Sequence, residues 1–147
     1  MSIAIDQAFT NAMITGGLAI DLVHENGVYS TWNGSSYDSQ TGVYEPQARR
    51  EFAEMRHFPA DGAPISLANT NENTGLYQVL LKYPAVVADM TAKLKAEDVL
   101  AILKPTALLT YAGQVVEIIS SSRDGGVNAG GYYEILIRAN YRAFVAR

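Results

Sequence analysis

The side chains best suited to chemistry in this sequence are its two histidines, His24 beside Glu25, and His57. A nucleophilic triad would need one of them held by a carboxylate and touching a serine or threonine. No G-x-S-x-G segment presents such a serine. A zinc site needs three or four ligands, and neither H-x-x-x-H nor H-E-x-x-H occurs. With 0 cysteines, the chain has no thiol nucleophile, disulfide framework, zinc-thiolate site or iron–sulfur ligation. The glycine-rich stretch Asp124 to Gly131 lacks the Lys-Ser/Thr that a phosphate cradle requires, and it leads into a strand rather than a helix. It reads as a flexible hairpin connection built on Gly and Asn turn chemistry. Glu97 and Asp98 are adjacent, so on a helix they do not face each other and read as a solvated helix surface or a local cap. The sequon Asn33-Gly34-Ser35 carries no meaning without a secretory context. The residues therefore predict no catalytic group, no metal ligand and no cofactor, and the chain reads as an assembly protein rather than an enzyme.

Composition agrees with that reading. The 147 residues match one domain, expected to span 1–147, with 48% hydrophobic and 18% charged residues as in ordinary globular proteins. The net charge of −4 is mild and spread along the chain, which argues against nucleic-acid recognition. No apolar run approaches the roughly 20 residues that span a bilayer. Met1 to Phe9 carries Asp6 and lacks a signal peptide's basic and apolar regions, so synthesis and folding in a cytoplasm are expected.

The elements that must position these residues can be read from periodicity. Ile5, Ala8, Phe9, Ala12 and Met13 recur at helical spacing, with Ser2 as N-cap and Gly16-Gly17 as terminator. Ile20, Leu22 and His24 alternate as in a strand running to a turn at Asn26-Gly27. Val28 to Gln47 shows no sustained period and reads as a long surface loop, mobile until a partner orders it. Arg49 to Phe58 is ambiguous on pattern alone, because Phe52, Met55 and Phe58 suit a helix while Phe52, Glu54, Arg56 and Phe58 alternate. The turn Ala60-Asp61-Gly62 and the polar loop Ala68 to Thr74 follow. Leu76 to Tyr83 is strand-like, with Tyr77, Val79, Leu81 and Tyr83 on one face. A helix with Val87, Met90, Leu94 and Ala101 on its apolar stripe is expected from about Ala85 to Leu103, with a possible break at Glu97-Asp98. A short strand at Leu108 to Tyr111, a strong one at Gln114 to Ser121 and a long one at Tyr132 to Phe144 complete the chain.

In that last strand Tyr133, Ile135, Ile137, Ala139 and Tyr141 alternate with Glu134, Arg138, Asn140 and Arg142. This is the pattern of an antiparallel strand with one open side. The expected fold is α+β, a two-layer sandwich with helices on a mostly antiparallel sheet of about four to five strands. The apolar face should meet the stripes Ile5-Phe9-Met13 and Val87-Met90-Leu94. Candidate interaction residues are Trp32, Tyr37 and Tyr44, since Trp and Tyr are enriched at interfaces, and Asn128 in the glycine-rich stretch. Glu134, Arg138 and Arg142 join them. Those charges either pair with cross-strand acids or form an interface between copies.

The order of segments resembles the tail terminator (tail completion) proteins of long-tailed bacteriophages, including a related phage domain of unknown function. The likeness lies in the opening helix Asp6 to Ile14, the strand into His24-Glu25-Asn26-Gly27, and the stretch Glu51 to Ala60. It is most specific in Asn73-Thr74-Gly75-Leu76-Tyr77-Gln78-Val79-Leu80-Leu81-Lys82-Tyr83-Pro84. It tips Arg49 to Phe58 toward strand. The departures are the Gly-, Ser- and Tyr-rich stretch Val28 to Gln47 and the long hairpin loop near Val127. The resemblance implies a ring, usually six-fold, at the head-proximal end of the virion tail, assembled in the host bacterial cytoplasm. Its partners would be copies of itself, the tail tube protein and the head–tail connector, with no membrane and no nucleic-acid sequence recognition. The competing readings are another connector or tube-like virion part, and a small-ligand-binding or hydrolytic domain with convergent polar groups in a pocket.

Overall fold

The computed structural model describes residues 2–24, 28–42, 44, 51–59, 73–84, 89–129 and 131–145. The expected turns at 26–27 and 60–62, the polar loop at 68–72 and the start of the second helix at 85–88 lie outside these residues.

The elements are α1 (Ser2–Thr15), β1 (Asp21–His24), β2 (Val28–Trp32), β3 (Tyr37–Thr41), β4 (Phe52–Pro59), β5 (Asn73–Pro84), α2 (Asp89–Ile102), β6 (Leu108–Tyr111), β7 (Gln114–Arg123), β8 (Val127–Ala129) and β9 (Tyr132–Val145). One nine-stranded sheet runs in the order β3-β2-β1-β4-β5-β9-β7-β6, with β8 also on β9. It is mixed, because β1 and β4 pair in parallel while the other pairs are antiparallel. The fold is therefore mostly β, a correction to the expected α+β sandwich on four to five strands. The extra strands come from stretches whose side chains show no period.

Residues 28–41, expected as a loop, form the hairpin β2–β3. Its turn is held locally: the Asn33 carboxamide oxygen accepts from the backbone N–H of Ser35 and of Ser36, both at 2.9 Å. Short side-chain-to-backbone bonds of this kind fix a hairpin without any hydrophobic alternation. The glycine-rich stretch is the second correction. Asp124 donates its N–H to the Leu136 carbonyl at 2.9 Å, and β8 resumes pairing with Val127 opposite Glu134. β7 and β8 thus form one arm along β9, interrupted by a bulge between Ile118 and Ser120 and by the excursion at Gly125-Gly126. Gly126 lies against the Tyr133 ring, so a β-carbon there would collide with it.

The ambiguous segment is strand β4, paired with β5 from Phe52↔Lys82 to Pro59↔Gly75. Both helices pack on one face of the sheet. From α1, Ile5, Phe9 and Met13 are buried as their spacing predicts, and the Phe9 ring stacks on Tyr77 at 3.9 Å between centroids. In α2 the expected stripe is wrong at Leu94 and Ala101, while Val87 and the side chain of Met90 lie outside what is described. Leu94 is 60% exposed and Ala101 is exposed, whereas Ala92, Ala96, Val99 and Leu103 are buried. Positions 94 and 96 differ by roughly 200° around a helix, so the sheet-facing side is the one with small residues at its centre. The helix is unbroken at Glu97-Asp98. At the helix ends, a β-carbon on Gly16 would lie 2.6 Å from Ile102 Cδ1, so a larger residue there would have to displace that side chain.

Candidate interaction surface

The helices cover one face of the sheet, and the opposite face carries side chains alternate to the core rows. Along β9 the outer row contains Glu134, Leu136, Arg138, Asn140 and Arg142, while Ile135, Ile137, Ala139, Tyr141 and Ala143 are buried. The outward charges meet acids or a lysine of neighbouring strands or, for Arg138, of the link between β7 and β8. Lys82 on β5 lies 2.8 Å from Glu54 on β4 and 3.4 Å from Glu134 on β9. Burial acts to lower the Lys82 pKa, but the hydrogen bond and charge of Glu54, with Glu134, outweigh it and hold the ammonium above its ordinary range. Arg138 reaches both carboxylate oxygens of Asp124, at 2.6 and 2.7 Å. Arg142 donates through Nε to Glu117 at 3.1 Å, and Asn140 donates to Ser120 at 3.0 Å. Each exposed pair contributes only about 0–1 kcal/mol. The row sets register and surface charge pattern more than stability.

The aromatic candidates are drawn together at the other end of the sheet. Tyr37 donates its hydroxyl to the Ile20 carbonyl at 2.8 Å and accepts from the Ile20 N–H at 3.2 Å. Burial raises its pKa, against the lowering effect of those backbone bonds. The Trp32 ring is 5.0 Å from Tyr37, and its backbone N–H donates to buried Asp21 at 2.8 Å. Tyr44 donates to the other Asp21 oxygen at 2.6 Å, with its ring between Tyr29 at 5.3 Å and Phe52 at 5.1 Å. Asp21 thus ties the β2–β3 hairpin and Tyr44 to β1. Asn128 stands opposite Tyr133 in the β8–β9 ladder. The seven candidates do not form one cluster: Trp32 and Tyr37 sit near the β3 edge, Tyr44 over β1 between Tyr29 of β2 and Phe52 of β4, and Glu134, Arg138 and Arg142 near the middle of the sheet.

The sequence reading missed the apolar part of this surface. Phe58 is 44% and Ile119 53% exposed. Phe58 pairs with Leu76, Leu76 with Asn140, and Asn140 with Ser120 beside Ile119, which makes one row across four strands. Leu76 and Leu80 were legible as the alternates of Tyr77, Val79 and Leu81. Ile119 was not, because the bulge that turns it outward has no side-chain signature.

The histidines lie apart. His24 Nε2 is 3.1 Å from the Thr10 hydroxyl, and His57 is buried against the Tyr141 hydroxyl and near the Tyr77 ring. Among the described residues no group of His, Cys, Asp and Glu could hold a metal ion, and no helix is long and apolar enough to cross a membrane.

A broad, ion-paired sheet face backed by a packed helical layer is a surface suited to holding neighbours. The family model described as phage tail terminator protein matches residues 31–141. The chain belongs to that family, whose members are structural components of the phage tail rather than enzymes. One solved structure, whose name states no function, is similar with a TM-score of 0.72 at 14% identity, covering 100% of this chain and 98% of its own. At that identity the likeness shows the fold alone. No curated protein matches the chain.

Proposed function

We propose that this chain, as one domain over 1–147, caps the end of the phage tail tube as a ring, stops tube polymerisation and joins the tail to the head connector. The observation that carries the reading is family membership over residues 31–141. The sheet supports it physically. Such a part needs no cofactor, only a rigid layer that repeats around a closed heterologous contact and surfaces for two kinds of neighbour. The uncovered face with Glu134, Arg138 and Arg142 is one such surface. The edge carrying Trp32 and Tyr37 is another, with Tyr44 beside it over β1 and Asn128 near the tip of the β8–β9 hairpin. The working place is the head-proximal end of the virion tail, reached by assembly in the host bacterial cytoplasm. The partners are further copies in a six-fold ring, the tail tube protein and the connector.

The test is genetic and visual. Phage with an early stop in this gene should accumulate overlong tails, or tails unattached to heads, and the intact gene supplied in trans should restore normal particles. Tails of normal length joined to heads in the mutant would overturn the reading.

A further inference from the structure

The sheet has two ends among the described residues, β3 and β6; both are short and β3 carries one charge, Asp38, but neither holds a lysine, a proline or a bulge. Natural edge strands are blocked by lysine, proline, a bulge or a covering segment. β3 reads YDSQT and β6 reads LLTY, with no Lys, Arg or Pro in either. Every residue of β3 after Tyr37 is exposed, as is every residue of β6 except Leu109. β6 turns back into β7 through Ala112 and Gly113, both at positive φ (49° and 84°), with Tyr111 opposite Gln114. In such a two-residue hairpin the first pair is hydrogen-bonded and the next is not. The backbone N–H and C=O of Thr110, and again of Leu108, therefore point away from β7 to the open side. On the helix side of this edge lies an open groove of about 400 Å³, lined in part by Ala8, Ala12, Ile102 and Leu109. A strand added to β6 would place alternate side chains in it.

We propose that the strand β6 accepts is β3 of a second copy, paired in parallel, so that the sheets of successive copies continue into one another around the ring. The proposal rests on the ring reading above and specifies its junction. Its geometry comes from the strand directions. Counting through the pairings, β3, β1, β4, β9 and β6 run one way and β2, β5 and β7 the other. Both edges run the same way, so copies of equal orientation meet as a parallel pair, with the start of β3 beside the start of β6. Charge favours this arrangement: exposed Lys104 precedes β6 and exposed Asp38 stands near the start of β3. On the groove side β3 presents Ser39 and Thr41, which are small enough to enter beside Leu109. A two-fold β6–β6 contact would instead stop at a dimer and leave both β3 edges open.

The chain has 0 cysteines, so introduced ones report alone. Thr110→Cys combined with Asp38→Cys, or with Gln40→Cys to cover the neighbouring register, should give under mild oxidation a covalent ladder that ends at the ring. Each single variant should give none. A covalent dimer from Thr110→Cys alone would show the two-fold contact and overturn the proposal. Rings seen by light scattering without a ladder in either register would overturn the junction and leave the ring reading standing. A chain that stays monomeric at every concentration would overturn both. Thr110→Pro removes an outward N–H and spares the β6–β7 ladder. It should leave the circular dichroism unchanged and weaken self-association at least tenfold. Association at wild-type strength in a folded Thr110→Pro protein counts against the junction.

Discussion

The two faces of the sheet use the same strands for opposite ends. On the helix side, Tyr77, Val79 and Leu81 of β5 and Ile135, Ile137 and Ala139 of β9 have no measurable exposure. Their outward alternates, Lys82, Glu134 and Arg138, keep water contact and pair across strands. The inner face is where the fold's free energy resides, since it removes apolar surface from water at about 25 cal/mol per Å². The ion-paired row of the outer face contributes little to stability and is free to be shaped by what it must meet.

The sharpest way to break this contrast is to empty the inner face. Phe9→Ala removes a ring stacked on Tyr77 and edged against Tyr141, and should cost about 3–5 kcal/mol in urea unfolding. A loss below about 1 kcal/mol would mean that α1 does not close the core. The next test lies within α2. Ala96→Leu should destabilise by about 1–3 kcal/mol through overpacking, while Leu94→Ala should change stability by no more than about 0.5 kcal/mol, as at other surface positions. The reverse order would restore the stripe that large-residue spacing predicted.

Smaller still is the stability effect expected on the outer face. Arg138→Ala should cost at most about 1 kcal/mol. Arg138→Glu together with Arg142→Glu should remain folded by circular dichroism yet yield overlong or headless tails in infected cells. A folded double variant that terminates tails at normal length would move the working surface to the sheet edges. At neutral pH the inner rim adds no further change, and its effect is read in alkaline solution. Burial, then the charges of Glu51 and Asp98, push Tyr83 well above its ordinary value of 10.0. A raised folded pKa stabilises fully below the unfolded value and is lost as pH rises through the folded one. Stability should therefore decline above about pH 10, and Tyr83→Phe should lessen that decline. Equal alkaline losses in both proteins would place the titration elsewhere.

Much of the inner face was legible because its signal is side-chain period. Ile5, Phe9 and Met13 in α1, the row Tyr77 to Tyr83 and the alternation in β9 all follow from which residues avoid water. The second helix misled for a physical reason. Helix-to-sheet contact at Ala92 and Ala96 favours small side chains, whereas the spacing of Leu94 and Ala101 marks a face that meets solvent. The β2–β3 hairpin and β8 were illegible because backbone bonds and a single asparagine turn hold them. The aromatic candidates were visible as types, but the Asp21 carboxylate that gathers Trp32 and Tyr44 was not, since nothing in a local window links positions 21, 32 and 44.

The central position of β9 has a consequence for how the molecule forms in time. β9 lies between β5 and β7, yet it follows both in the chain. The pairing Pro84↔Tyr132 to Asn73↔Ala143 closes loops of widely different length, and none of it can begin while the chain is still short of its last strand. Folding governed by such distant pairings runs in milliseconds to seconds rather than microseconds. During synthesis, the growing chain would hold β4–β5 on one side and β6–β7 on the other as separate hairpins, each exposing a raw edge. Arrival of the final strand joins them in one step, so a ribosome-bound fragment that lacks it cannot present the finished sheet to any partner.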